Sequence, residues 1–151
     1  LVGSEMCIRD RYDYDNGTDC LTILLPSGRK LYYINPSIGQ NEWGRPSISY
    51  MGMDQKTKRW KRIETYGGKL VENCVQAIAR DCLAASIDRL EAAKLPVVFH
   101  VHDEVVIDVA PFADEDTMLS TVCSIMGEPV PWAPDLPLKA AGWVGYYFTK
   151  D

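Results

Sequence analysis

The chain has 151 residues, a formal net charge of −5 at pH 7 and a hydrophobic content of 46%, which is ordinary for one globular domain in water. No apolar run approaches the ~20 residues of a transmembrane helix, and the acidic balance does not by itself indicate a nucleic-acid-binding protein. Five widely spaced cysteines without a C-x-x-C pair argue against a disulfide framework or a zinc knuckle and favour reduced, buried thiols.

The first eleven residues show no helix or strand period and resemble translated sequencing-adapter read-through. We therefore treat residues 1–11 as a non-native leader and assign residues 12–151 to the folded domain. The coding frame is expected to be truncated upstream. No signal peptide is recognisable, so a cytoplasmic location is expected.

Four strands are predicted next, at residues 19–25, 30–34, 47–53 and 59–64. Pro26 and Gly28 predict a tight turn between the first two strands, whereas the Asn, Pro, Gly and Ser content of residues 35–46 predicts a loop.

The turn before the fourth strand is strongly basic. A cluster of cations around Trp60 suits phosphate contact and base stacking, but it equally fits a charged hairpin with Trp60 folded inward. The cations are Lys56, Lys58, Arg59, Lys61 and Arg62.

Residues 69–94 contain neither Gly nor Pro and predict the longest helix. Its apolar face is expected to point inward and consists of Val71, Val75, Ile78, Cys82 and Ala85. A polar stripe at similar spacing offers donors suited to the minor-groove acceptors that every base pair presents; it consists of Lys69, Asn73, Gln76 and Arg80. Taken alone, that stripe is more simply explained as a solvated helix face.

Residues 97–109 contain two β-branched runs that flank Asp103 and Glu104 and predict a tight hairpin with these acids at or beside its tip. Adjacent carboxylates repel each other and do not suit a tight turn, so a bound cation would explain them; a charged surface turn is the alternative. His100 and His102 are predicted on one strand face. With Asp103 they give the spacing of some zinc sites, although the chain has no other histidine.

A second helix is predicted from Asp114 or Asp116 to Met126, and its inward residues are Met118, Leu119, Val122, Ile125 and Met126. Residues 129–137 are rich in proline and are expected to be extended and non-helical, and residues 138–149 are predicted to form a final strand. The order of elements predicts an α+β fold with an antiparallel sheet backed by helices.

Three segments stand in a characteristic order: Leu-Pro-Ser-Gly-Arg at residues 25–29, Tyr-Gly-Gly-Lys-Leu-Val-Glu-Asn at residues 66–73, and His-Asp-Glu-Val-Val-Ile-Asp-Val at residues 102–109. Together they resemble family A (DNA polymerase I-like) DNA polymerases of the phage type, in which the third segment is motif C. Residues 131–138 and the aromatic pair Tyr146-Tyr147 are similar to the C-terminal strand of that family.

The resemblance implies a DNA-directed DNA polymerase that adds deoxynucleoside triphosphates to the primer 3′-hydroxyl of primer–template DNA, in a bacterial or phage-infected cell. Asp103 is implied to be one of two catalytic aspartates that hold two Mg²⁺ ions. Glu104 is implied to support that site and His102 to contact the primer terminus. Gln76 is implied to contact the minor groove near the terminal base pair, with Asn73 and Arg80 as further implied contacts; Lys69 of the polar stripe and Arg29 are added as candidate DNA contacts.

The other metal-binding aspartate of that family, in motif A, and its fingers helix are not recognisable here, because residues 13–15 (Asp-Tyr-Asp) lie too close to the hairpin at residues 25–29. The resemblance therefore implies a C-terminal palm fragment that lacks the N-terminal portion of the same polymerase and is inactive alone. Two other functions stay open: a metal-dependent hydrolase that uses His100, His102 and Asp103, and a non-catalytic nucleic-acid-binding module that uses the polar stripe and the basic turn.

Overall fold

The computed structural model describes residues 11–12, 19–41, 43–110 and 113–148. Within these ranges the chain forms seven strands and two helices, namely β1 (Arg11–Tyr12), β2 (Cys20–Leu24), β3 (Lys30–Gln40), β4 (Pro46–Met53), β5 (Trp60–Thr65), α1 (Gly67–Ala92), β6 (Val97–Val101), β7 (Glu104–Ile107) and α2 (Glu115–Met126). Strands β1 to β5 make one antiparallel sheet in sequence order, and β6 and β7 make a separate antiparallel pair. The predicted α+β class is confirmed.

Two compact units divide the chain at residues 78 and 79, so α1 contributes its first half to the first unit and its second half to the second. Among the described residues, neither helix combines the length and the apolar character that membrane crossing requires. Residues 1–10 and 13–18 lie outside the described part of the chain. The leader assignment and the remark on residues 13–15 therefore stay predictions.

The core of the first unit forms where the start of α1 packs on the sheet. Ile23, Leu25 and Tyr33 are buried there against Cys74 and Ala77 of the helix. Since Cys74 and Ala77 are small, the helix backbone can approach the sheet closely. This packing turns one face of the sheet toward α1.

The predicted inward face of α1 is wrong at its N-terminal end, where Val71 and Val75 are exposed. Leu70 and Cys74 pack toward the sheet instead. The sequence carries two apolar stripes about 100° apart around the helix, and the one with smaller side chains faces the sheet. Further along, the prediction is confirmed, because Cys82 is buried and Ile78 is partly buried.

Helix α1 ends in a Schellman motif. The backbone N–H of Leu95 donates to the carbonyl of Leu90, and that of Lys94 donates to Glu91. Lys94 takes the left-handed position with φ of 61°, where glycine is usual. The contact between the last turn and the residue after it is apolar, because Leu90 and Leu95 are both buried.

The loop predicted at residues 35–46 is wrong in its first half, because β3 continues to Gln40. Its register with β4 shifts by one residue between Ile34 and Ser37, which marks a β-bulge. Asn35 has φ of 48° in this bulge, and Pro36 follows it. A bulge accommodates both residues, since it leaves one residue without ladder hydrogen bonds.

In the second unit the Arg89 guanidinium of α1 donates to the carbonyl oxygens of Glu128 and Pro129 at 2.9 and 2.7 Å. Asp114 and Gly127 occupy the two ends of α2, as predicted, and the predicted inward side chains of α2 are half-buried. The proline-rich segment that follows is non-helical, as predicted, but the prediction that it is extended is wrong, because it forms turns at residues 131–132 and 134–135.

The predicted final strand is wrong, because residues 138–148 have no regular secondary structure. Gly142 lies so close to α2 that a Cβ there would be 2.9 Å from Leu119 Cδ1, so this segment crosses a helix instead of extending a sheet. Its end nevertheless meets the β6–β7 hairpin: the rings of Phe99 and Phe148 pack edge to face with centroids 5.2 Å apart. Thr149 lies outside the described residues.

Of the five cysteines, the four that the structure describes are free thiols: Cys20, Cys74, Cys82 and Cys123. Burial raises the pKa of the Cys74 and Cys82 thiols. The prediction of buried thiols is confirmed for Cys74 and Cys82, whereas Cys20 and Cys123 are only half-buried; Cys7 lies outside the described residues.

Candidate active site

The acidic tip of the β6–β7 hairpin is a two-residue turn made by His102 and Asp103. Val101 pairs with Glu104 on the strands that flank it. The expectation that the two acids lie at or beside the tip is therefore met, with Asp103 in the turn and Glu104 as the first residue of β7. All three residues from His102 to Glu104 are exposed.

The backbone strain of this turn falls on His102, which has φ of 51°. A tight turn with positive φ at its first central residue alone has the pattern of a type II′ turn, in which glycine is usual at that position. A side chain there costs conformational energy. The tip therefore keeps a histidine where the local geometry favours glycine.

The carboxylates of this hairpin lack counter-charges among the described residues. No hydrogen bond or ion pair joins the side chains of Asp103, Glu104 or Asp108 to another described residue. Within the described ranges there is also no group of three or more His, Cys, Asp and Glu side chains that could hold a metal ion. An exposed, unpaired carboxylate suits a Mg²⁺ site that is completed by other groups, because Mg²⁺ usually takes one or two carboxylates plus waters and substrate phosphates.

His100 and His102 do not share a strand face as predicted, because His102 has left the strand for the turn. The His100 ring lies beside Arg80 of α1, with Arg80 Nη1 3.4 Å from both ring nitrogens. A neutral imidazole accepts from the guanidinium at its unprotonated nitrogen. His100, His102 and Asp103 therefore do not come together as a set of zinc ligands, which the hydrolase alternative would need.

The polar stripe of α1 is organised by a residue that the sequence interpretation did not include. Glu72 accepts from Lys69 Nζ at 2.9 and 3.0 Å and from Gln76 Nε2 at 3.3 Å. This interaction raises the pKa of Lys69. The spacing of three and four residues around Glu72 is a readable signal for such contacts.

Two other predicted DNA contacts make structural hydrogen bonds in the first unit. Asn73 Nδ2 donates to the hydroxyl of Tyr33 at 3.2 Å, and Arg29 Nη2 donates to the carbonyl oxygen of Ala77 at 3.0 Å. The first bond joins α1 to strand β3, and the second joins α1 to the turn between β2 and β3. Lys69, Gln76 and Arg29 are exposed and Asn73 is half-buried, so Lys69 and Gln76 are the exposed members of the set that make no hydrogen bond to the sheet side of this unit.

The basic turn between β4 and β5 is built on Asp54. Its carboxylate accepts from the backbone N–H groups of Lys56 and Thr57 and pairs with Lys61 Nζ at 2.7 Å. These partners, Lys61 first, hold the pKa of Asp54 well below its usual range. Trp60 is exposed, so the inward-folded alternative is wrong.

A curated DNA polymerase of Bacillus phage SP02 is 48% identical to this chain over 139 residues. The match covers 91% of the chain and 20% of the phage protein, so the chain spans about a fifth of the length of that relative. No family model matches the chain, and no solved structure gives a significant match.

Proposed function

We propose that this chain is part of a phage-type DNA polymerase of family A, which transfers deoxynucleotides to the 3′-hydroxyl of a primer on a DNA template. The observation that carries the proposal is the 48% identity to a phage DNA polymerase along 91% of the chain. The hairpin geometry also supports it, because Asp103 is exposed in the turn and its carboxylate is left able to share a metal ion with ligands from elsewhere.

Asp103 is the residue of this chain that would hold Mg²⁺. When bound, the metal would make the primer 3′-hydroxyl a better nucleophile and stabilise charge on the leaving pyrophosphate. The remaining ligands would come from other parts of the longer protein, from water and from the substrate. Glu104, adjacent and exposed, would add negative potential at the edge of that site.

The side chains of His102 and Gln76 would position the DNA. His102 is exposed in the turn beside Asp103 and would hydrogen-bond at the primer terminus. Gln76 would donate to minor-groove acceptors that all base pairs share, which suits an enzyme that must copy any sequence. In the free protein Gln76 donates to Glu72, so DNA binding would replace that bond.

The test is Asp103→Ala in a full-length polymerase that contains this segment. Primer extension with Mg²⁺ should fall about a thousand-fold, because a catalytic metal supplies several kcal/mol of stabilisation and each 1.36 kcal/mol is tenfold in rate. Affinity for primer–template DNA should stay within about twofold, since removal of a carboxylate does not weaken contacts to phosphates.

Asp108→Ala is the matched control, because Asp108 is an exposed aspartate of the same hairpin that lies outside the turn. Its extension rate should stay close to the wild-type value. Near-normal extension by Asp103→Ala, or equal loss in both variants, would contradict the assignment of Asp103.

A further inference from the structure

One face of the large sheet carries a row of exposed side chains. Trp60 pairs with Met53 across β5 and β4. Ile34 pairs with Met51 across β3 and β4, and Tyr32 and Met53 each lie two residues from that pair, so they share its face. Cross-strand neighbours project to the same face. Tyr32 is 61% exposed, and Met53 and Trp60 are each 54% exposed. We call these three residues the aromatic row.

The aromatic row lies on the face opposite α1. Tyr33 and Tyr50 project to the other face of the sheet. Their rings pack edge to face with centroids 5.0 Å apart, and they contribute to the core beneath α1. Alternation along a strand sends successive side chains to opposite faces. Helix α1 therefore covers the other face and leaves the three side chains of the aromatic row exposed, whereas Thr22, the cross-strand partner of Tyr32 on the face of the row, is buried.

Basic side chains surround this row. The first unit, residues 1–78, has eleven Lys and Arg against nine Asp and Glu, whereas residues 79–151 have five against twelve. The exposed Lys56, Lys58 and Arg59 lie in the turn next to Trp60. The whole-chain charge of −5 therefore combines an acidic second unit with a slightly basic first unit, in which the cations are concentrated at this turn.

A further cation, Arg62, is held by hydrogen bonds on the same face of the sheet as the aromatic row. It shares the face of Trp60, two residues along β5, and its Nη1 donates to the carbonyl of Asn35 and to Ser49 Oγ at 3.1 and 3.2 Å. These bonds hold the guanidinium across three strands. The acid Glu64 lies on the same face, farther along β5 from the row.

We propose that the aromatic row binds single-stranded DNA, together with the neighbouring cations Lys56, Lys58, Arg59 and Arg62. Bases would stack on Tyr32 and Trp60, and phosphates would lie near these cations. Exposed aromatic side chains with interleaved cations are the physical requirement for sequence-tolerant binding of single strands. A polyanion matches the charge of this unit better than a second copy of an acidic chain does. The choice of DNA as the nucleic acid rests on the proposed polymerase function.

The experiment measures fluorescence anisotropy of a labelled oligo(dT) with the 151-residue chain at low salt. Trp60→Ala and Tyr32→Ala should each weaken binding about tenfold, within the range found when a stacked aromatic side chain is removed. Trp60→Phe should retain binding within about threefold because it keeps a stacking ring. Lys56→Ala should lower the slope of log affinity against log salt by about 0.7.

Trp43→Ala is the matched control, because Trp43 is 75% exposed but lies in the turn between β3 and β4, away from the row. It should bind like the wild type. Equal loss in Trp43→Ala, or unchanged binding in Trp60→Ala and Tyr32→Ala, would overturn the proposal. Sedimentation that shows a dimer dispersed by Trp60→Ala would also overturn it, because the face would then be an interface between copies.

Asp103→Ala in the same chain should bind the oligonucleotide like the wild type. Loss of primer extension in the full-length Asp103 variant together with failure of the oligonucleotide assay would overturn this surface and leave the polymerase proposal standing. If the oligonucleotide binds through the row but Asp103→Ala does not change primer extension, the assignment of Asp103 fails and the proposed DNA-binding surface stands.

Discussion

His102 keeps a backbone conformation that disfavours any side chain with a Cβ. Its φ of 51° lies at the first central position of the hairpin turn. Strain that persists beside a reactive group is common at functional sites, where the surrounding structure maintains it. Here the residue beside Asp103 carries the strain, so the imidazole is the group whose retention needs a functional explanation.

His102→Gly should therefore raise the free energy of unfolding of the 151-residue chain by up to about 1 kcal/mol, because relief of strain exceeds the added entropy of the unfolded glycine. The midpoint of urea denaturation measures this change. In a full-length polymerase the same substitution should lower primer extension, since the proposed contact with the primer terminus is lost.

Asp103→Gly is the comparison, because Asp103 does not have positive φ and glycine gains nothing there. It should lower the urea midpoint or leave it unchanged. A lower midpoint in His102→Gly would show that the imidazole stabilises the hairpin more than its backbone strain costs.

Among the elements, the β4–β5 hairpin depends on one ionised side chain. Asp54 is held in its charged form by Lys61 and by the N–H groups of the turn, and its pKa is lowered. A lowered folded pKa means that the unfolded chain binds the proton more tightly. The stabilisation is then complete above about pH 4, the ordinary aspartate value, and is lost as the pH falls through the folded pKa.

The corresponding prediction compares the wild type with Asp54→Asn in urea denaturation at pH 6 and near pH 2.5. The asparagine variant should be less stable at pH 6, and the difference should shrink at the lower pH. Comparison with the variant cancels the titration of the other carboxylates. A difference that stays constant with pH would mean that the shape of the turn, and not its charge, supports the hairpin.

Elements with one consistent local signal could be predicted from the sequence. The long helix α1 has no Gly or Pro after its first two residues, and the β6–β7 hairpin has two β-branched runs around polar residues. Prediction failed where local signals conflicted: Asn35 and Pro36 indicate a loop but form a bulge inside β3. The final strand failed because alternation needs a partner strand, which the described segment around Gly142 lacks.

The candidate site was predictable to a similar extent. The two β-branched runs that flank the acids placed Asp103 at or beside a hairpin tip, whereas strand parity wrongly placed His102 on a strand face with His100. The contact of Asn73 with Tyr33 spans forty residues of sequence, and no periodicity along one helix indicates such a partner. Helix spacing indicates the contacts of Glu72, because Glu72 lies three residues after Lys69 and four before Gln76. The predicted stripe contained only hydrogen-bond donors and therefore left out this acceptor.

At the scale of the whole molecule, the described residues include no group of three or more side chains that could hold a metal ion, so the proposed Mg²⁺ site at Asp103 would need ligands from elsewhere. We therefore expect the purified 151-residue chain to show no primer extension with Mg²⁺ above background. A gel assay with labelled primer–template tests this, with an intact polymerase as the positive control. Measurable extension by the chain alone would mean that these residues assemble a catalytic centre without further protein.

The long helix also contains two chemical reporters. Cys74 belongs to the first unit and Cys82 to the second, both are buried, and burial raises the pKa of both thiols. A buried thiol reacts with an alkylating reagent only when its surroundings open. Alkylation rates at these two positions, resolved by mass spectrometry, would therefore give the opening free energy of each unit separately in the native protein, without any introduced label.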